Sequence, residues 1–177
     1  MPDPVIILKG LALSGAFVAM ITDMRTGKIF NWMTFPLMAA GLVLNLVFFG
    51  LKGFGTSIAA FFLGIVFYTP FAAIGAVGMG DVKLMAAIGA LGGLRFVTTT
   101  FLYTSVIGIP HVMLVQYLNY GKNAMPMLLA SLTTGAYKNK TITAENQDPT
   151  VKIHYRLGVD IFIGCLFACL IEIPISL

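Results

Sequence analysis

Long runs of hydrophobic residues alternate along the chain with short polar stretches. Several runs approach the ~20 residues that an α-helix needs to cross a bilayer. They are rich in Leu, Ala, Phe and Gly and do not alternate hydrophobic with polar positions, which predicts helices rather than a β-barrel. The predicted fold class is all-α, a polytopic integral membrane protein with about six transmembrane helices. The predicted spans are Val5–Thr22, Trp32–Leu51, Thr56–Val77, Asp81–Leu94, Phe96–Leu118 and Leu157–Ile175.

The composition agrees with this pattern, because 58% of the residues are hydrophobic and only 10% are charged. About six spans within 177 residues leave no room for a separate soluble domain, so residues 1–177 are predicted to form a single membrane domain. The longest polar stretch, residues 119–156, is predicted to be a loop. The first run lacks a preceding basic segment and a small-x-small cleavage site, and is interpreted as a retained span.

The distribution of Lys and Arg predicts the orientation in the membrane. Eight basic residues fall in one set of alternate loops and three in the other, and the richer set is expected on the cytoplasmic side. This places the Asp23 loop, the Asp81 turn and the 119–156 loop in the cytoplasm and both termini outside, as in an inner (cytoplasmic) membrane protein. The net charge of +4 suits anionic lipid headgroups, and no nucleic-acid partner is predicted.

Two aspartates lie at the ends of apolar runs in a chain with only seven acidic residues. Asp23 follows the first run, and Asp81 follows the glycines of Gly78-Met79-Gly80. A carboxylate at membrane depth is costly and usually serves a proton, an ion or a reaction. Two carboxylates brought together share a proton and can act as general base and general acid, which is the chemistry of aspartic proteolysis. The simpler interpretation of Asp81 alone is a helix cap after a glycine turn.

Other polar residues have structural interpretations that compete with a role in the site. Arg25 and Lys83 each stand two residues after an aspartate and are interpreted mainly as anchors to the membrane surface. Asn31 suits a bond to loop backbone or a cap on the second span. Asp160 is expected to pair with Arg156, four residues earlier, and the alternative is that it contributes to the proton chemistry of the site. No metal site or cofactor is predicted, since His111 and His154 each lack a second ligand at suitable spacing.

The two aspartate motifs together resemble those of the type IV prepilin peptidase family. The resemblance rests on Asp23-x-Arg25-x-x-x-Ile29-x-Asn31, Gly78-Met79-Gly80-Asp81-Val82-Lys83-Leu84-Met85 and the closing stretch Tyr155-Arg156-Leu157-Gly158-Val159-Asp160-Ile161. It implies a membrane aspartic endopeptidase of the GxGD type in which Asp23 and Asp81 form the catalytic pair. Gly78, Gly80, Arg25, Lys83 and Asn31 are then candidates for the loop around the active site.

The resemblance also implies a substrate and a cellular location. The expected substrate is a prepilin or pilin-like precursor with a short polar leader followed by a hydrophobic helix in the bilayer, cut at the cytoplasmic face. The chain resembles the short, peptidase-only branch associated with Flp-type tight-adherence pili or with archaeal preflagellins and prepilins. The longer members carry an N-terminal domain with paired Cys-x-x-Cys motifs, and without it N-methyltransferase activity is not expected.

A second function of a different class is a proton-coupled transporter or small channel that uses the same aspartates as a proton relay. Both acids lie near one predicted face of the membrane rather than along a path across it. No second glycine-interrupted half-helix mirrors the Gly78–Asp81 turn. Peptidase activity is therefore the favoured prediction.

Overall fold

The computed structural model describes residues 3–73, 77–120 and 156–172, and these residues are almost entirely helical. No β-strand occurs in these ranges, which confirms the all-α prediction. Most of the predicted 119–156 loop, the end of the last predicted span and His154 lie outside the described residues. The helices are α1 (Pro4–Thr26), α2 (Asn31–Ala73), α3 (Met79–Tyr120) and α4 (Leu157–Glu172).

The described helices are suited to a membrane. Three of them, α1 to α3, are long and apolar enough to cross it by length and composition, and α4 is a shorter apolar helix. Large hydrophobic side chains such as Phe17, Val47 and Val106 are exposed on their outer surfaces, as expected where helices face lipid rather than water. The protein is therefore a membrane protein, while the number of about six crossings stays a prediction.

α2 reverses its direction at Gly50, whose φ of 63° and ψ of −154° are not helical. Before Gly50 the chain runs parallel to the beginning of α3, and after it the chain runs antiparallel to the same segment. A positive φ is accessible to glycine at little cost, which explains why the break falls at this residue. The pairs that define the two directions are Asn31 with Lys83 and Gly41 with Ala90 before the break, and Ser57 with Ala90 and Gly64 with Met85 after it.

α3 reverses in the same way at Gly93, where φ is 81° and ψ is −179°. Gly64 packs on Met85, and one turn further along α2 the rings of Phe67 and Tyr68 contact Phe101. After Gly93 the chain therefore runs back along the first half of α3, so that Phe101 lies near the same end of the bundle as Met85. Each long helix is thus two antiparallel segments, and the predicted span ends at Leu51 and Leu94 fall next to the two breaks.

The first half of α3 is the centre of the bundle and carries Asp81 at its beginning. Leu84, Met85, Ile88 and Leu91 are each at most 1% exposed, because neighbouring helices cover this segment on all sides. At its other end, the carbonyl oxygen of Ala90 accepts hydrogen bonds from Asn45 Nδ2 at 2.9 Å and Ser57 Oγ at 2.6 Å. Such bonds satisfy carbonyls near a helix break, and they fix the segment along its axis.

Candidate active site

Asp23 lies on the buried face of α1, one turn before this helix ends. Buried residues recur along α1 at helical spacing, namely Leu8, Ala12, Ala16, Ala19 and Asp23, so the stripe that packs against the bundle also directs Asp23 inward. α1 ends at Gly27, which adopts φ 67° and donates its backbone N–H to the Asp23 carbonyl oxygen at 2.8 Å. This left-handed glycine cap turns the chain into the segment that leads to α2.

The beginning of α4 holds the Asp23 side chain. Gly158 N–H donates to Asp23 Oδ2 at 3.1 Å, and Arg156 Nη1 lies 3.8 Å from Asp23 Oδ1. Arg156 Nη1 also donates to the Asp23 carbonyl oxygen. The first N–H groups of a helix have no partner within the helix and favour an anion. Asp23 is 8% exposed, and α4 supplies its hydrogen-bond donors.

Asp81 is the third residue of α3 and closes the turn that begins at Gly78. Its Oδ2 accepts the Gly78 N–H at 3.1 Å, and its own N–H donates to the Gly78 carbonyl oxygen at 3.1 Å. The reciprocal bonds cap the helix, as the simpler interpretation from the sequence proposed. A Cβ atom on Gly78 would lie 3.0 Å from Asp81 Oδ2, so the turn has little room for a side chain there.

Asp23 and Asp81 line one cavity of about 390 Å³. The packing of α1 against α3 brings them together across 57 intervening residues of sequence. The full lining is Asp23, Gly27, Lys28, Ile29, Phe30, Asn31, Gly78, Gly80 and Asp81.

The two sequence motifs are packed directly against each other. A Cβ on Gly80 would lie 2.9 Å from Ile29 Cβ and 3.2 Å from the Ile29 carbonyl oxygen. Lys83 Nζ donates to Asn31 Oδ1 at 2.9 Å, and it lies 5.2 Å from the centre of the Phe35 ring. Gly80 thus admits the Ile29 backbone, and Lys83 bonds the start of α3 to the start of α2.

The predicted site residues do not all meet at the cavity. Gly78, Gly80 and Asn31 line it together with the two aspartates. Arg25 is exposed in the last turn of α1 and is not part of the lining. Lys83 is also outside the lining, but its bond to Asn31 supports the wall of the cavity, and its contact with the membrane surface stays a prediction.

Several residues of the site were not predicted from the sequence to belong to it. Gly27, Lys28 and Phe30 line the cavity, while Gly158 and the side chain of Arg156 contact Asp23. Gly27 was recognisable as the stop signal of the first apolar run. The contacts of Arg156 and Gly158 had no local signal, since they join residues more than 130 positions apart.

Asp160 pairs with α3 rather than with Arg156. Its Oδ1 lies 2.9 Å from His111 Nδ1, and it is 1% exposed. The expected contact with Arg156 is replaced because that guanidinium turns to Asp23. In the described ranges no three His, Cys, Asp or Glu side chains are grouped as a metal site.

The family of the chain follows from the comparison with known proteins. No curated protein and no solved structure matches the chain. The model of the type IV leader peptidase family matches residues 10–113, a range that contains both aspartates and every residue lining their cavity. This match covers more than half of the chain, which therefore belongs to the type IV leader peptidase family.

Proposed function

We propose that the protein is an aspartic endopeptidase of the GxGD type that removes the N-terminal leader from type IV prepilins or pilin-like precursors. Asp23 and Asp81 are the proposed catalytic pair. The observation that carries the proposal is that these two carboxylates, from separate helices, line the same cavity. Membership of a leader peptidase family supports the reaction class.

The proposed mechanism needs one water molecule between the carboxylates. One carboxylate acts as general base and accepts a proton from this water. The oxygen of the water attacks the carbonyl carbon of the scissile peptide bond at the same time. The other carboxyl group donates its proton to the amide nitrogen, and the C–N bond breaks to release the leader. Two carboxyl groups that share one proton supply both roles. The protonation states exchange during turnover, so a further proton transfer restores the starting state.

The position of the cavity suits a substrate whose cleavage site adjoins a membrane helix. The cavity lies where α1 ends and α3 begins. Two exposed hydrophobic side chains are found there: Phe30 lines the cavity, and Met79 lies between the lining residues Gly78 and Gly80 in sequence. A precursor with a polar leader and a hydrophobic helix can place its junction there while the helix stays in lipid. The excess of basic residues on this side supports a cytoplasmic site in the inner membrane.

The test is cleavage by the purified protein in lipid nanodiscs. The substrate is a synthetic precursor with a short basic leader that ends in glycine, followed by an apolar helix, and mass spectrometry locates the cut. We expect wild type to cut at the leader junction and Asp23→Asn or Asp81→Asn to lower kcat by about 10³-fold or more.

Asp3→Asn is the matched control, because Asp3 is exposed at the other end of α1 and its side chain makes no cap hydrogen bond. This variant is expected to cleave like wild type. Full cleavage by either catalytic variant would refute the aspartate mechanism. Absence of cleavage with wild type, together with proton flux into liposomes, would favour the transporter.

A further inference from the structure

Arg156 joins α4 to the end of α1 by contacts with a single residue. Its Nη1 donates to the carbonyl oxygen of Asp23 and lies 3.8 Å from Oδ1 of the same residue. The side chain is 31% exposed, whereas that of Asp23 is 12% exposed. Arg156 stands outside the residues 10–113 that the family model matches. It is also not part of the cavity lining.

Two glycines make this arrangement possible. A Cβ on Gly27 would lie 2.6 Å from Arg156 Nη1, and Gly27 has a positive φ that L side chains rarely adopt. A Cβ on Gly158 would lie 2.9 Å from Asp23 Oδ2 and 3.0 Å from Asp23 Cβ. The absence of a side chain at Gly158 thus lets the first turn of α4 lie against Asp23, and Gly27 leaves space for the Arg156 guanidinium beside it.

The contacts distinguish the two aspartates. Asp23 receives a guanidinium and a backbone N–H from α4. Asp81 receives a backbone N–H from its own turn, and it makes no salt bridge with a residue of the described ranges. Arg156 donates a hydrogen bond to the Asp23 carbonyl oxygen, and its charge lies within ion-pair distance of the carboxylate, which favours the observed direction of that side chain.

We propose that Arg156 is a positioning residue for the reaction and holds the Asp23 carboxylate in the cavity that Asp81 also lines. The inference rests on the proposed peptidase function. Because Arg156 lies outside the lining, its loss should affect the chemical step more than substrate binding. A displaced catalytic group commonly costs about 10²-fold in rate.

The first experiment compares kcat and KM for wild type, Arg156→Ala and Arg156→Lys on the precursor described above. We expect Arg156→Ala to lower kcat by about 10²-fold with KM changed less than about threefold. Arg156→Lys should restore part of the loss, since it keeps the charge but not the planar fork. Arg95→Ala is the matched control, because Arg95 is exposed beside the Gly93 break at the other end of the bundle.

Chemical rescue separates positioning from a general effect on folding. The side chain of Arg156 is partly exposed, so added guanidinium at low, non-denaturing concentration can enter the space left in Arg156→Ala. We expect it to raise kcat of this variant and leave wild type and Arg95→Ala unchanged. A folded Arg156→Ala variant with wild-type kcat would overturn the inference, as would a loss that neither Lys nor guanidinium reduces.

Gly158→Ala tests the position of the same carboxylate through its other contact, the Gly158 N–H bond to Asp23 Oδ2. The added Cβ would lie against Asp23 Oδ2, and we expect kcat to fall again while KM is retained. If Arg156→Ala failed to fold, unchanged kcat in Gly158→Ala would still contradict the inference, because it would show that the reaction does not depend on how Asp23 is held at the start of α4. Failure of wild type to cleave any precursor would instead refute the proposed function, so the two failures are distinguishable.

Discussion

Lys83 Nζ donates a hydrogen bond to Asn31 Oδ1 at 2.9 Å and thereby joins the helix that carries Asp81 to the segment that follows Asp23. The ammonium also lies 5.2 Å from the centre of the Phe35 ring. A hydrogen bond to a charged group contributes about 1.5–3 kcal/mol when it is shielded from water. This bond is exposed to solvent and Lys83 is only half-buried, so we expect a contribution below this range, about 1 kcal/mol.

The first prediction concerns this bond. Lys83→Met should lower the free energy of unfolding by about 1 kcal/mol and reduce leader cleavage, because the Asn31 wall of the cavity loses its support. Asn31→Leu should have a similar effect. The double variant should lose less free energy of unfolding than the sum of the losses of the two single variants. Denaturant unfolding in detergent measures all three variants. Additive losses would show that the two side chains do not interact.

The second prediction concerns the contact between the two motifs. Gly80→Ala places a Cβ 2.9 Å from Ile29 Cβ and 3.2 Å from its carbonyl oxygen, so the cavity wall must move. We expect kcat to fall by at least about tenfold, since small displacements of catalytic groups are costly. Gly10→Ala is the matched control, because a Cβ at Gly10 meets nothing within 4 Å. Equal activity of the two variants would contradict the close packing.

The third prediction concerns the pair between α3 and α4. Asp160 is 1% exposed and its oxygens lie 2.9 and 3.1 Å from His111 Nδ1. His111→Phe leaves this bond unmade and should destabilise the protein by about 1–3 kcal/mol. The double variant His111→Phe with Asp160→Asn should lose less stability than the sum of the losses of the two single variants, because the two side chains contact each other. Thermal unfolding in lipid nanodiscs measures the coupling, and strict additivity would argue against the pair.

The fourth prediction concerns helix packing around the central segment. Gly41→Ala brings a Cβ within 2.7 Å of the Ala90 carbonyl carbon, so α2 must separate from α3. Small residues allow such close approach of helices in membranes. We expect a loss of about 1–3 kcal/mol in the free energy of unfolding from overpacking, measured by denaturant unfolding in detergent. Gly55→Ala, whose Cβ would meet nothing within 4 Å, should be neutral. A neutral Gly41→Ala would show that α2 and α3 do not approach each other so closely.

Much of the helical structure follows from local pattern. The apolar runs predict the helices, and the predicted ends at Leu51 and Leu94 lie beside the glycines where the backbone turns. Likewise, buried residues recur at helical spacing along α1, and Asp23 is the last of them. Such features depend on residues that are close in sequence, so they can be predicted without knowledge of the packing. The number of membrane crossings and the cytoplasmic position of the site remain predictions.

The sequence by itself determined that two carboxylates end apolar segments, because helix periodicity and hydrophobicity are local properties of the chain. Only the tertiary structure decided their partners. Arg156 was expected to pair with Asp160 on its own helix, yet it contacts Asp23, and Asp160 contacts His111. The physical reason is that buried charges take the partners that helix packing brings to them, and glycines such as Gly27 and Gly158 decide how closely those helices approach.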